Sequence, residues 1–318
     1  MGIGSEIAGH RARFIKGLEP MLDMEKFCGI IPPMLTPFTR DGRLYEDGLK
    51  NLLDFLTKNG VHGLFICGTY GCGPAMTVDE RKRVAEIVME NVKGRLDVIV
   101  HVGSSTIDFT LELAKHAEDI GADAIASVPP FYYAYDEESV FFFYKKLLSS
   151  VDIPVFVYNN PFRTGIRISP DLLSKLANEG VAGIKDSGFD LVKFYEYKLN
   201  VKRKDFIFLI GTEALMLPAM LAGARGCVSG SANVFPKMNV DLYRMIMENK
   251  IREAVDKQLQ IIEARRILHL APTIPACYEV LRMQGIDAGY PRPPFLPLSR
   301  DQVKMIKDKL VKLNLIQE

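Results

Sequence analysis

The chain is 318 residues long, 48% hydrophobic and 25% charged, and its 40 Lys and Arg against 39 Asp and Glu leave a net charge of +1. This is an ordinary soluble composition with enough apolar residues for one large core. It excludes wholesale disorder, and the interleaved charges provide no field for nucleic acid or anionic lipid. Five cysteines, Cys28, Cys67, Cys72, Cys227 and Cys277, are odd in number and lack CxxC spacing, which argues against a disulfide framework or zinc site and fits reduced thiols in a cytoplasmic protein. The five histidines show no HExxH spacing, so no metal is expected, and no cofactor either.

The first residues, MGIGSEIAGHRARFIKGLEPMLDMEKF, lack the apolar core and cleavage site of a secretory signal. Residues 1–25 read as an N-terminal extension, either an appended helix or the product of a start codon upstream of Met24. From CGIIPPML onward, short β-rich runs alternate with helical patterns: helix 45–59, GLFICG, helix 77–93, DVIVHV, helix 106–120, ADAIASV and helix 136–150. The rhythm continues with IPVFVYN, helix 169–178, VAGIKDS, helix 190–200, FIFLIG, helix 213–222, GCVSG and helix 236–249. The apolar window 206–224 is long enough for a bilayer, but Gly211, Glu213 and Pro218 break it where a strand-turn-helix needs them, so no membrane span is expected.

Eight βα units whose strands are unbroken apolar runs imply a parallel sheet covered on both faces. A closed (β/α)8 TIM barrel over residues 26–250 accounts for the count better than a doubly wound sheet, because no GxGxxG turn follows the first strand. Further helical stretches at 251–269, 272–284 and 300–314 form a C-terminal helical appendage over residues 251–318, with AGYPRPPFLPL between the last two.

Chemistry in such a barrel sits where strands end. There VAGIKDSG ends the sixth strand with Lys185, a residue suited to nucleophilic catalysis, to phosphate binding or to pairing with an acid. On the fifth strand YNNPFRTG places Tyr158 one strand away, either as a proton shuttle or as a packed ring. After the second strand GTYGCGP (68–74) is a glycine-rich turn able to aim amides at a small anion. VPPFYY (128–133), after the fourth, reads equally as core or as interface. An amine beside a phenol and an anion-binding turn suits a keto acid, provided that the site depresses the lysine pKa.

GTYGCGP, YNNPFRTG and GIKDSG, in this order, resemble the dihydrodipicolinate synthase/N-acetylneuraminate lyase family of class I pyruvate aldolases, over residues 28 to about 300. The resemblance implies a homotetramer in which Lys185 forms a Schiff base with pyruvate and Tyr158 acts as acid and base. It further implies that Thr69 relays the proton, that Tyr132 completes the relay from a neighbouring subunit, and that the amides of Thr69 and Tyr70 bind the carboxylate. Arg163 matches the arginine with which the synthases hold the second substrate.

Tyr70 and Cys72 depart from the GTTGE or GSTGE of the synthases and sialate lyases, and GTYGCGP and GYPRPPFLPL (289–298) are closer to archaeal 2-keto-3-deoxygluconate aldolases. Asn160 and Arg163 point away from those aldolases, which carry YNYP. The expectation is a carbon–carbon lyase cleaving a 2-keto-3-deoxy sugar acid to pyruvate and an aldehyde. Arg163, on this reading, pairs with an acid such as Glu213 or stacks on a tyrosine. The alternatives are 4-hydroxy-tetrahydrodipicolinate synthase, which condenses pyruvate with aspartate semialdehyde, a Schiff-base dehydratase, and a non-catalytic keto-acid-binding barrel.

Overall fold

The computed structural model describes residues 26–92 and 94–317, so the extension of residues 1–25 lies outside the described residues. The elements alternate as β1 (Gly29–Ile30), α1 (Glu46–Lys58), β2 (Gly63–Ile66), α2 (Val78–Val92), β3 (Asp97–His101), α3 (Ile107–Asp119), β4 (Ala124–Ser127) and α4 (Glu137–Leu148). They continue as β5 (Val155–Asn159), α5 (Pro170–Glu179), β6 (Gly183–Asp186), α6 (Leu191–Asn200), β7 (Ile207–Ile210), α7 (Met216–Leu221), β8 (Gly226–Cys227) and α8 (Pro236–Met247). After them come α9 (Ile251–Leu268), α10 (Thr273–Met283) and α11 (Arg300–Lys312). Helix starts follow local chemistry: Thr106, Asp136, Ser169 and Asp190 each accept a first-turn amide, and Ser299 with Gln302 forms a capping box.

All strand pairs are parallel, in the order β1-β8-β7-β6-β5-β4-β3-β2. Between β1 and β2 the seam is closed by a bridge from Pro33 to Phe65, with Phe65 N donating to Pro32 O at 2.9 Å and Met34 N to Phe65 O at 3.0 Å. Pro32 and Pro33 have no N–H, so the apolar run CGIIPPML contributes only Gly29–Ile30 as a regular strand.

Alternation along the strands divides the core in two. Inside the barrel lie Ile31, Phe65, Ile99, Ala124, Ala126, Phe156, Tyr158, Ile207 and Leu209, while the opposite strand faces pack against the helices. On β6 the inward positions are Gly183 and Lys185, since Ile184 belongs to the outer shell. A Cβ at Gly183 would stand 2.6 Å from the Phe156 ring and 2.4 Å from Ile207 O, so this position must be glycine for Phe156 to fill the layer below Lys185.

The C-terminal helices cover one side of the mouth. Gln258 on α9 accepts from Leu217 N at 3.0 Å and donates to Glu213 O at 2.8 Å, tying that helix to the loop after β7. The GYPRPP segment acts as a strap: Tyr290 bridges to Phe38, and Arg292 binds Glu80 at 2.5 Å and Gly42 O at 2.9 Å. Similarity in that segment therefore concerns the strap more than the acceptor, although Phe295 beyond it reaches the cavity wall.

Candidate active site

Pairing of β5 with β6 puts Tyr158 directly opposite Lys185, and their side chains enter a cavity of about 840 Å³ at the C-terminal end of the barrel. Lys185 is 2% exposed. Its Nζ lies 3.5 Å from the Phe65 ring centroid and 3.8 Å from that of Tyr158, and no carboxylate pairs with it among the described residues. Burial pushes its pKa below the ordinary lysine value, against an opposing pull from Tyr158, and so favours the neutral amine.

Tyr158 Oη is 3.3 Å from Thr69 Oγ1 and 2.9 Å from Asn160 Nδ2, which donates to it. Burial pushes the phenol up, but the Lys185 charge and hydrogen bonds with Thr69, Lys185 and Ser187 together outweigh it, and the net shift is down. His101 ends β3 with its ring centroid 5.7 Å from that of Tyr158. Its Nδ1 is 3.1 Å from Cys67 O, so the ring donates there, and burial followed by the Arg81 and Lys185 charges holds it neutral.

In the turn after β2, the amides of Thr69 and Tyr70 have no acceptor among the described residues. Tyr70 leans across the cavity toward the loop after β8, where a Cβ on Gly230 would meet its hydroxyl at 2.5 Å. A side chain at Gly230 would push that ring aside. Cys72, 4% exposed and left-handed at φ 55°, also lines the cavity, and burial pushes its thiol up.

Glu213 does not pair with Arg163. Its carboxylate accepts from Gly230 N at 3.1 Å and Ser229 Oγ at 3.4 Å, and Arg265 Nε of α9 lies 3.3 Å away. The Arg265 guanidinium also sits 5.7 Å from the Phe189 ring centroid. Arg163 is exposed on the one-turn helix Pro161–Thr164 at the cavity wall, with no salt bridge among the described residues.

Tyr132 is separate from this group: it is 87% exposed, stacked edge-on against Tyr133 at 5.1 Å. Of the residues expected from sequence, Lys185, Tyr158, Thr69, Tyr70 and Arg163 share one cavity, and Tyr132 lies outside it. His101, Asn160, Ser187 and Arg265 are additional. His101 and Ser187 stand at strand ends, a signal that the sequence carries; Arg265 has none, because it arrives from a helix beyond the barrel.

A buried lysine and phenol on adjacent strands at the C-terminal mouth define the class as a (β/α)8 barrel enzyme with a class I aldolase fold. The model of the Dihydrodipicolinate synthetase family matches residues 26–313. The chain belongs to that family and is a carbon–carbon lyase. It is 33% identical over 293 residues to 4-hydroxy-tetrahydrodipicolinate synthase of Methanopyrus kandleri, covering 91% of this chain and 97% of the relative. It is 34% identical to a probable 2-dehydro-3-deoxy-D-pentonate aldolase, YjhH, of Escherichia coli, with 90% and 96% covered. Among solved structures, Escherichia coli YagE in complex with pyruvate superimposes with a TM-score of 0.88 at 30% identity, covering 91% of this chain and 99% of that one.

Proposed function

We propose that the chain is a pyruvate-dependent Schiff-base aldolase cleaving a 2-keto-3-deoxy sugar acid to pyruvate and an aldehyde. The observation that carries this is the Lys185 amine, buried with no carboxylate partner among the described residues and 3.8 Å from the ring centroid of Tyr158, its opposite residue on the neighbouring strand. Lys185 Nζ adds to the C2 carbonyl and water leaves, giving an iminium ion. Tyr158 takes the proton from the C4 hydroxyl, the C3–C4 bond breaks, and its electron pair moves toward the iminium nitrogen as the aldehyde departs. Tyr158 returns that proton to C3 of the enamine, and hydrolysis of the resulting iminium ion releases pyruvate and the free amine. Thr69 passes the proton, and the amides of Thr69 and Tyr70 hold the carboxylate. The iminium ion is the electron sink, so the proposal includes neither metal nor cofactor.

On the acceptor side, Glu213 and Arg265 offer an oxygen acceptor beside guanidinium donors, a pairing suited to sugar hydroxyls. The proposal includes a cytoplasmic homotetramer in which Tyr132 reaches the Thr69–Tyr158 pair of a neighbour. Its support is the 87% exposure of Tyr132 together with a φ of +88°, strain that a bulky residue carries only where its surroundings hold it. The free thiols of the five cysteines fit that compartment.

One observation favours a second reading, 4-hydroxy-tetrahydrodipicolinate synthase: with Glu213 bound to Arg265, Arg163 is left facing the cavity, where it would suit an acceptor carboxylate. Borohydride reduction with pyruvate tests the common step, and the expected result is one pyruvate-derived mass on the peptide holding Lys185. An adduct on another lysine would remove the reading. Cleavage of 2-keto-3-deoxygluconate compared with condensation of pyruvate with aspartate semialdehyde then separates the two. A much faster synthase reaction, lost in Arg163→Ala, would reverse the order.

A further inference from the structure

The Tyr158 phenol has a partner to which neither the spacing nor the resemblance gives a role. Asn160 is 7% exposed and stands two residues past Tyr158, where the chain leaves β5. Its Nδ2 donates to Tyr158 Oη at 2.9 Å and to Thr69 Oγ1 at 3.4 Å. The amide nitrogen has two hydrogens and accepts nothing, so it can serve both oxygens at once. A lone pair on each oxygen is then occupied, and the hydroxyl hydrogen of Thr69 is left to bridge toward Tyr158. When Tyr158 ionises, its oxygen accepts from Thr69 and Asn160 beside the iminium ion formed on Lys185.

We propose that Asn160 is a positioning residue whose amide donates to the Tyr158 and Thr69 oxygens together, stabilising the phenolate and aligning the proton relay inside one subunit. This rests on the Schiff-base reading above. The titratable groups that face the phenol are Lys185 from β6, His101 from β3 and Tyr70 from the turn after β2. Burial holds His101 neutral and pushes the Tyr70 phenol up, which leaves Lys185 as the charged neighbour acting on the phenol. With the amide turned the other way, Oδ1 would accept from the neutral phenol and oppose its ionisation, so the two orientations predict pH shifts of opposite sign.

The test is exchange of the pyruvate methyl protons with deuterium, followed by NMR across pH, because it needs no knowledge of the aldehyde. Asn160→Val and Asn160→Asp are compared with wild type, with borohydride trapping run in parallel. The Asn160 carbonyl, which accepts from Arg163 N at 3.0 Å and Thr164 N at 3.1 Å, keeps its role in both variants. Expected in Asn160→Val are retained trapping, exchange about tenfold slower or worse at neutral pH, and a rising limb displaced upward by about one pH unit. Asn160→Asp, which puts a carboxylate beside the phenol, should displace it further, and it decides the matter if the valine variant misfolds. A limb that stays in place or moves down while trapping is retained would overturn the proposal. Loss of trapping in the wild type would instead remove the Schiff-base reading itself.

Discussion

On one side of the cavity Tyr158 and Lys185 occupy opposite positions of adjacent strands, while on the other Glu213 meets Arg265 from a single-turn loop and a helix beyond the barrel. The first pair is held by the β5–β6 ladder, by inward packing on Phe65 and by the glycine beneath Lys185. Its geometry follows from strand register and can move only if the barrel does. The second side depends on how α9 docks and on Gly230 admitting Tyr70, features that can change while the strands stay as they are. This division explains how relatives named as synthase and as aldolase both match the chain across more than nine-tenths of their length. On the proposed function, a strand-borne pair carries the chemistry, and the helix-and-loop side supplies selectivity.

Substitutions should separate the two sides by what they abolish. Lys185→Ala is expected to give no borohydride-stable adduct and no turnover, and residual adduct formation at wild-type rate would move the chemistry elsewhere. Tyr158→Phe should keep trapping and lose about 10² to 10⁴ in turnover. Undiminished turnover would reduce the phenol to packing.

On the acceptor side, Arg265→Ala should leave pyruvate trapping intact while raising KM for the acceptor by roughly 10- to 100-fold through loss of a charged hydrogen bond. It should also lower stability by about 1–3 kcal/mol, because Glu213 loses a partner while buried. A trapping defect as large as the acceptor defect would show that the two sides are not independent. Gly230→Ala is milder: its methyl would press on the Tyr70 hydroxyl, costing about 1–3 kcal/mol in thermal or denaturant unfolding with trapping unchanged.

The smallest expected effect is a shift in pH. In the proposed mechanism the neutral amine is the nucleophile, and burial lowers the Lys185 pKa, so trapping should rise with pH and reach its half-maximum below 10.5. A midpoint at or above that value would mean that the Tyr158 attraction outweighs burial.

What the chain order carried by itself was the eightfold alternation, and with it the barrel and the strand ends at which Lys185, Tyr158 and Thr69 stand. Strand and helix periods are local, and a parallel ladder turns neighbouring strand ends into neighbouring side chains, so a linear reading reaches them. The same logic overruns β1, because Pro32 and Pro33 withhold ladder hydrogens and only Gly29–Ile30 is regular strand, and it passes over His101 although that residue ends β3. Asn160 was visible as a departure in YNNP, but that its amide turns back to the phenol depends on the bend out of β5. For Arg163 the sequence leaves open a pairing with an acid such as Glu213 or stacking on a tyrosine, and in the structure Glu213 lies beside Arg265 instead. That contact depends on the packing of α9 over the mouth, a consequence of apolar burial between distant segments that no periodicity along the chain encodes.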